Sequence, residues 1–120
     1  MTTLPAKLKL KIIQGATFPK VLRWIAPDKT TPIDLTGCTA RMQVRSEIES
    51  ATVLLELTTE NGGIVIDGPA GKLTLRISPT DTAAISWESG VWDLEVVHPG
   101  GEVTRLVQGS ISVSREVTRA

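Results

Sequence analysis

The sequence predicts an antiparallel β-sandwich with one short helix; a small closed barrel is the alternative. Three observations support this. Val, Ile and Thr together supply 36 of the 120 residues, and β-branched side chains, already restricted at χ1, fit a pleated surface. Most candidate strands alternate apolar and polar residues, the pattern of a sheet with one buried and one solvated face. Clusters of Gly, Pro, Asn and Asp separate them at short intervals. Two such sheets packed face to face bury both apolar faces.

In chain order, residues 7–12 alternate lysine with Leu8, Leu10 and Ile12, so Lys7, Lys9 and Lys11 share the opposite face. A lysine-lined strand resists stray pairing, which suits a sheet edge. Residues 17–26 form the second strand, apolar on both faces at Phe18, Val21, Leu22, Trp24 and Ile25. Pro19 cannot donate to a ladder, so it implies an edge, a bulge or a late start. After the turn cluster at 27–32, residues 34–37 lead into a strand over 38–45. There Met42 and Val44 point inward and Arg41, Gln43 and Arg45 outward. Residues 46–51 read as a polar loop, and 52–58 as a strand with Val53, Leu55 and Leu57 on one face.

Asn61-Gly62-Gly63 marks a turn into a short strand at 64–67, and residues 68–71 turn the chain into the alternating strand 72–77. Ser78-Pro79-Thr80-Asp81 supplies a cap, a proline at the first helical position and an acid in the first turn. The helix is expected to run about two turns, to Trp87. Residues 91–97 place Trp92, Leu94 and Val96 inward and Asp93 and Glu95 outward. His98-Pro-Gly-Gly101 closes a hairpin onto 102–108, and Gly109 separates a last strand in which Ile111 and Val113 alternate with serines. The expectation is a single domain over 1–120 with eight or nine strands, its ends at 1–5 and 116–120 frayed.

Thirteen Lys+Arg balance thirteen Asp+Glu, and the pI is near 6.6. That balance argues against nucleic acid or an anionic membrane as partner, since both need a basic surplus. No apolar run is long enough to span a bilayer, and the start has no secretory pattern, so the expected origin is cytoplasmic. Cys38, the one cysteine, can form no internal bridge and gives no metal spacing. Neither a metal nor any other cofactor is expected.

Candidates for chemistry are few. His98, the one histidine, sits in a turn, where a solvated role is the commoner one. Cys38 at a strand start reads as a small buried hydrophobe, because reactive thiols need an electropositive setting. Asp34, Asp67, Asp81, Asp93, Glu56, Glu60, Glu88 and Glu95 could in principle supply an acid pair. Most of them fall on outward strand phases or turns, and Asp81 suits the helix dipole. Gly68-Pro-Ala-Gly71-Lys72 fails as a phosphate loop, because Ile66 stands where the first glycine belongs and Leu73 where Ser or Thr belongs. Trp24 and Trp92 read as core. Trp87 reads as the exposed aromatic, a thin platform for a glycan alongside the 98–101 turn.

Several phrases in order resemble small virion proteins from the structural modules of tailed phages. They are Gln14-Gly-Ala-Thr-Phe18, then Pro32-Ile-Asp-Leu-Thr-Gly37 followed by Ala40-Arg-Met-Gln-Val-Arg45. Thr58-Thr-Glu-Asn-Gly-Gly-Ile64, Gly90-Val-Trp-Asp-Leu-Glu95 and Gly101-Glu-Val-Thr-Arg-Leu106 continue the likeness, and Gly109 and Glu116-Val-Thr-Arg119 close it. The resemblance implies a tail- or baseplate-associated phage or prophage protein, similar to immunoglobulin-like N-terminal domains of baseplate proteins. Such proteins act by assembly and carry no catalytic residues. The expected partners are therefore other virion structural proteins and further copies of the chain in a homo-oligomer. The interaction surface is expected at Lys7, Lys9, Lys11, Arg41, Arg45, Trp87 and Arg105. Strand 7–12, the 103–108 arm and the C-terminal strand are its expected free edges. A receptor- or glycan-binding module is the alternative, with head decoration or neck protein as a second.

Overall fold

The computed structural model describes residues 2, 3 and 6–118, with side chains from residue 6 onward. Residues 1, 4, 5, 119 and 120, part of the segments expected to fray, lie outside the described residues. The strands are β1 (Thr2–Thr3), β2 (Ala6–Lys7), β3 (Leu10–Ile13), β4 (Phe18–Arg23), β5 (Thr39–Arg45), β6 (Leu55–Thr58), β7 (Ile64–Asp67), β8 (Lys72–Ile77), β9 (Ser89–Val97) and β10 (Val103–Ser114). One helix, α1 (Pro79–Ala83), lies between β8 and β9.

The strands form two sheets. The smaller runs β1-β4-β8-β7; the larger runs β2-β10-β9-β5-β6, with β3 also paired to β10. If β1, β4, β7 and β8 are lettered A, B, D and E, and β5, β6, β9 and β10 are lettered C, C′, F and G, this is the order of an immunoglobulin sandwich. The two sheets keep separate edges, so the architecture is the sandwich and not the closed barrel. Its core lies between them. Phe18, Leu22, Leu73 and Leu75 face Met42, Val44, Trp92, Leu94 and Ile111, all buried. Leu35 from the β4–β5 connection and Ile85 after the helix close the ends.

Local chemistry explains where the strands depart from the expected pattern. Residues 7–12 keep their alternation but split into β2 and β3. Leu8 and Lys9 leave the ladder where the Leu8 carbonyl lies against Gly109. A Cβ on Gly109 would fall 1.9 Å from that oxygen, so the crossing needs glycine. Gly109 therefore separates nothing: β10 runs through it without a break. β10 is also not a free edge, because β9 flanks one side and β2 and β3 the other. Three pairings are parallel, namely β1 with β4, and β2 and β3 with β10, so the sheets are mixed. The N-terminal segment contributes to both sheets, and an all-antiparallel expectation had no place for it.

Pro19 lies within β4, opposite Arg76 of β8. On the other side β1 reaches only Leu22 and Arg23, so the missing proline N–H leaves no gap in a ladder. β6 begins at Leu55, later than expected, and Val53 is exposed. The helix is also shorter than expected. Ser78 caps it, its side chain accepting from the Asp81 N–H at 3.1 Å, and Pro79 opens it. It stops at Ala83 because Gln14 reaches across: Gln14 Nε2 donates to the Ile85 carbonyl at 3.1 Å and to that of Ala83 at 3.5 Å. These carbonyls get side-chain partners, and Ile85 turns into the core. Gln14 also accepts from the Glu116 N–H at 2.7 Å, and buried Thr82 accepts from the Gly15 N–H at 3.0 Å. One glutamine thus joins the β3–β4 turn, the helix exit and the end of β10.

Trp92 is 3% exposed and donates its indole N–H to the Ser110 carbonyl at 3.1 Å. Trp92→Ala is expected to cost about 3–5 kcal/mol in urea melts, whereas a loss below about 1 kcal/mol would show that the ring is not part of the core.

Candidate functional site

The outward face of the larger sheet is the place where polar side chains converge. Pairing sets them in rows across β5, β9 and β10. Arg41 lies opposite Glu95, which lies opposite Arg105; the next row is Gln43, Asp93 and Gln108. Lys7 of β2 extends that row beside Gln108, and Arg45 faces Val91 in the third. The rows line an open concavity of about 690 Å³, with Ile48 of the β5–β6 loop at its margin.

An irregularity in β10 puts the last strand's residues there. The register shifts between Arg105 and Val107, so Leu106 is an extra residue relative to β9. Leu106 and Val107 are both buried, while Arg105 and Gln108 are exposed. Strict alternation from Arg105 would have put Val107 outward and Gln108 in the core. The bulge corrects this, and delivers both polar side chains to the face.

Hydrogen bonds hold the long side chains in place. Arg41 Nε donates to Glu95 Oε1 at 2.9 Å, and Gln43 Nε2 donates to Glu56 Oε2 at 2.7 Å. Arg45 donates through Nη2 to Gln43 Oε1 at 2.9 Å and through Nη1 to the Ser50 carbonyl at 2.7 Å. Arg105 Nη1 donates to Gln108 Oε1 at 3.1 Å, and its Nε stands 3.8 Å from Asp93 Oδ2. Exposed ion pairs add little to stability. Their value here is preorganisation, since ordering flexible side chains is a main cost of forming an interface.

Asp93 is the electrostatic centre of the face. Partial burial, and then the Glu95 charge, push its carboxyl above the usual aspartate range, against the pull of Arg105, Arg45 and Arg41. The other shifted carboxylates serve turns. Asp28 accepts from the Thr30 and Thr31 N–H groups and the Thr31 hydroxyl, bonds that pull it down to about 2. Asp34 is lowered by Thr36 in the same way.

A second cluster lies at the His98 end of the sandwich. Cys38 Sγ is 3.7 Å from His98 Nδ1, His98 Nε2 is 3.0 Å from Thr104 Oγ1, and the Trp24 and His98 rings are 6.1 Å apart. His98 is therefore half-buried and bonded through both ring nitrogens, not a solvated turn residue. Burial, and then the nearby Asp34 charge, push the Cys38 thiol up, which keeps it protonated despite its histidine neighbour. The cluster ties the β9–β10 hairpin to the β4–β5 connection. Among the described residues no group of three or more His, Cys, Asp or Glu could hold a metal ion, and no helix is long and apolar enough to cross a membrane.

Of the residues expected at an interface, Lys7, Arg41, Arg45 and Arg105 come together in the concavity. Lys9 and Lys11 are exposed farther along the same edge and do not line it. Trp87 departs from expectation: it is half-buried and packs against the core. It also cannot share a contact region with the 98–101 turn. The two flank opposite ends of the nine-residue β9, about 30 Å apart at the usual rise per residue. Gln43, read with Arg41 and Arg45 as one outward stripe, lies among them, and Asp93, Glu95, Gln108 and Ile48 join the face without having been expected at an interface. Alternation did place Gln43, Asp93 and Glu95 outward. Gln108 was hidden by the bulge, and Ile48 by its loop.

No protein-family model matches the chain, and no curated protein matches it. Solved structures do. The N-terminal domain of phage TP901-1 ORF48 aligns at TM-score 0.56 and 12% identity, over 94% of this chain and 97% of that one. A chain from a study of multimeric cell-adhesive interactions of VGSC beta subunits aligns at TM-score 0.48 and 10% identity, over 92% and 93%. CopC from Methylosinus trichosporium OB3b aligns at 0.41 and 12%, over 91% and 90%. At such identities the phage domain shares the fold.

Because the Asp93 carboxyl is raised in the folded state, the fold binds its proton more tightly than the unfolded chain does. Stability is then lost as pH rises through the folded pKa. Asp93→Asn is expected to melt above wild type at pH 7, and the gain should vanish below about pH 4, where both states are protonated. Equal melting at pH 7 would contradict this account of the face.

Proposed function

We propose that the chain is a non-enzymatic structural module of a phage or prophage particle. It is associated with the tail or baseplate and acts through protein–protein contacts on the concave face of the larger sheet. The observation that carries this reading is the face itself. Its guanidinium, carboxylate and amide groups are set in rows by strand pairing and held by one another across an open concavity. Such a surface suits a protein partner, whose charges can be matched row by row, better than a small substrate that needs an enclosing pocket.

Two further features support the same reading. The phage TP901-1 domain shares the fold over nearly the whole of both chains, so the likeness concerns a complete module of this size. The thiol and imidazole of the molecule are spent on joining loops, and Asp28 and Asp34 on shaping turns. In this role the chain is made in the bacterial host cytoplasm and ends in the virion, with other virion structural proteins as partners. Trp87, the contact residue of the glycan-binding alternative, is half-buried and packs against the core.

The test is to purify particles from a host carrying the gene and to ask by mass spectrometry and negative-stain imaging whether the chain is present. It is expected in the particles, and Arg41→Glu with Arg105→Glu should lower its incorporation. A chain absent from the particles, or one incorporated equally well with both arginines reversed, would contradict the proposal.

A further inference from the structure

The β5–β6 loop carries a tip of Glu47, Ile48 and Glu49, all exposed, Ile48 at 86%. A side chain of that size so far out of the core contributes little to its own fold. The loop is nonetheless held: Arg45 donates to the Ser50 carbonyl, and the Ser50 N–H donates to that of Glu47 at 3.1 Å. An ordered apolar residue between two carboxylates is the shape of a contact point. Its chemical complement is on the same molecule, in the adjoining concavity lined by Lys7, Arg41, Arg45 and Arg105.

We propose that the concave face binds a second copy of this chain, the Glu47-Ile48-Glu49 tip of each copy seating in the basic concavity of the other. The inference rests on the reading above that this face carries protein contacts, and it names the partner. Within one copy the tip adjoins the Arg45 end of the face, whereas Arg41 and Arg105 lie two rows away toward the opposite end of the strands. A twofold axis lying between the two faces and perpendicular to the strands sets face against face and reverses strand direction between copies, so each tip falls over the Arg41 end of its partner's Arg41–Arg105 row. Contacts of this kind are isologous: what one copy gives, the other returns.

Charge supports this occupant. The lining of the concavity holds four cations against Asp93 and Glu95, and the tip adds Glu47 and Glu49, so lining and tip together balance in charge and are self-complementary. Five strand lanes and three rows of side chains cover roughly 20 × 20 Å on each copy. That is below the area of a standard stable interface, so the contact is weak and reversible, of a size that other virion neighbours can reinforce.

The experiment is sedimentation velocity over a concentration series with three proteins: wild type, Lys7→Glu/Arg105→Glu, and Glu47→Lys/Glu49→Lys. Wild type is expected to shift from monomer to dimer with concentration, less so in high salt. Each reversal is expected to weaken self-association about tenfold or more. An equimolar mixture of the two variants should restore dimer, because both contacts of the mixed pair regain opposite charge. Melting curves verify that each variant folds, and Lys7→Gln/Arg105→Gln replaces the first if it does not. A wild type that stays monomeric at about 1 mM overturns the inference. So does a dimer that neither reversal affects, or a mixture that restores nothing. A monomeric chain that still enters particles would overturn this inference and leave the proposed function standing.

Discussion

The bulge in β10 is the constraint on which the rest of the molecule depends. This strand must cover the core on one face, present polar groups on the other and pair with neighbours on both edges. Unbroken alternation cannot do all of this, because its sequence places Leu106 and Val107 side by side between Arg105 and Gln108. One extra residue reverses the phase. Both apolar side chains enter the core, and both polar ones reach the outer face. Just beyond, Gly109 leaves room for the Leu8 carbonyl, which lets the N-terminal segment pass alongside and bring Lys7 to the same face. Core closure and the polar face thus rest on the bulge, and the covered edge on the glycine just beyond it, two features of one strand.

The face so formed is ordered by its own framework. Its charged side chains hang from rigid ladders and bond to their cross-strand neighbours, so a partner meets them already arranged. Asp93 shows the tension in such a surface: partial burial and Glu95 disfavour its charge, while three arginines favour it. At the helix end of the sandwich, Gln14 plays a comparable role inside the fold. It satisfies carbonyls that a longer helix would have used itself, and it also holds the end of β10. That function gives physical content to the first of the phage-like phrases, Gln14-Gly-Ala-Thr-Phe18.

Much of the fold was legible in the sequence because alternation is a local property. β5, β7, β8 and β9 follow their apolar–polar pattern closely, and Ser78-Pro79 fixed the start of the helix. Legibility failed where distant residues decide. The helix stops early because of Gln14, far away in sequence. Gly109 looked like a breaker, but the property that matters is its room for Leu8, which only the paired N-terminal segment reveals. The parallel pairs had no local signature. The site divides in the same way. Arg41, Arg45, Asp93 and Glu95 could be given a face by phase alone, whereas Gln108 needed the bulge, and Trp87 was misjudged because its polar neighbours concealed a ring packed on the core.

Gly109→Ala tests most directly whether β10 organises the molecule through this crossing. The added methyl meets backbone on Leu8, not the far end of a flexible side chain. The expected result is a loss of about 1–3 kcal/mol, with faster hydrogen exchange at the Leu8 amide, which donates to the Gln108 carbonyl at 3.0 Å. Wild-type stability together with unchanged exchange at Leu8 would contradict the account.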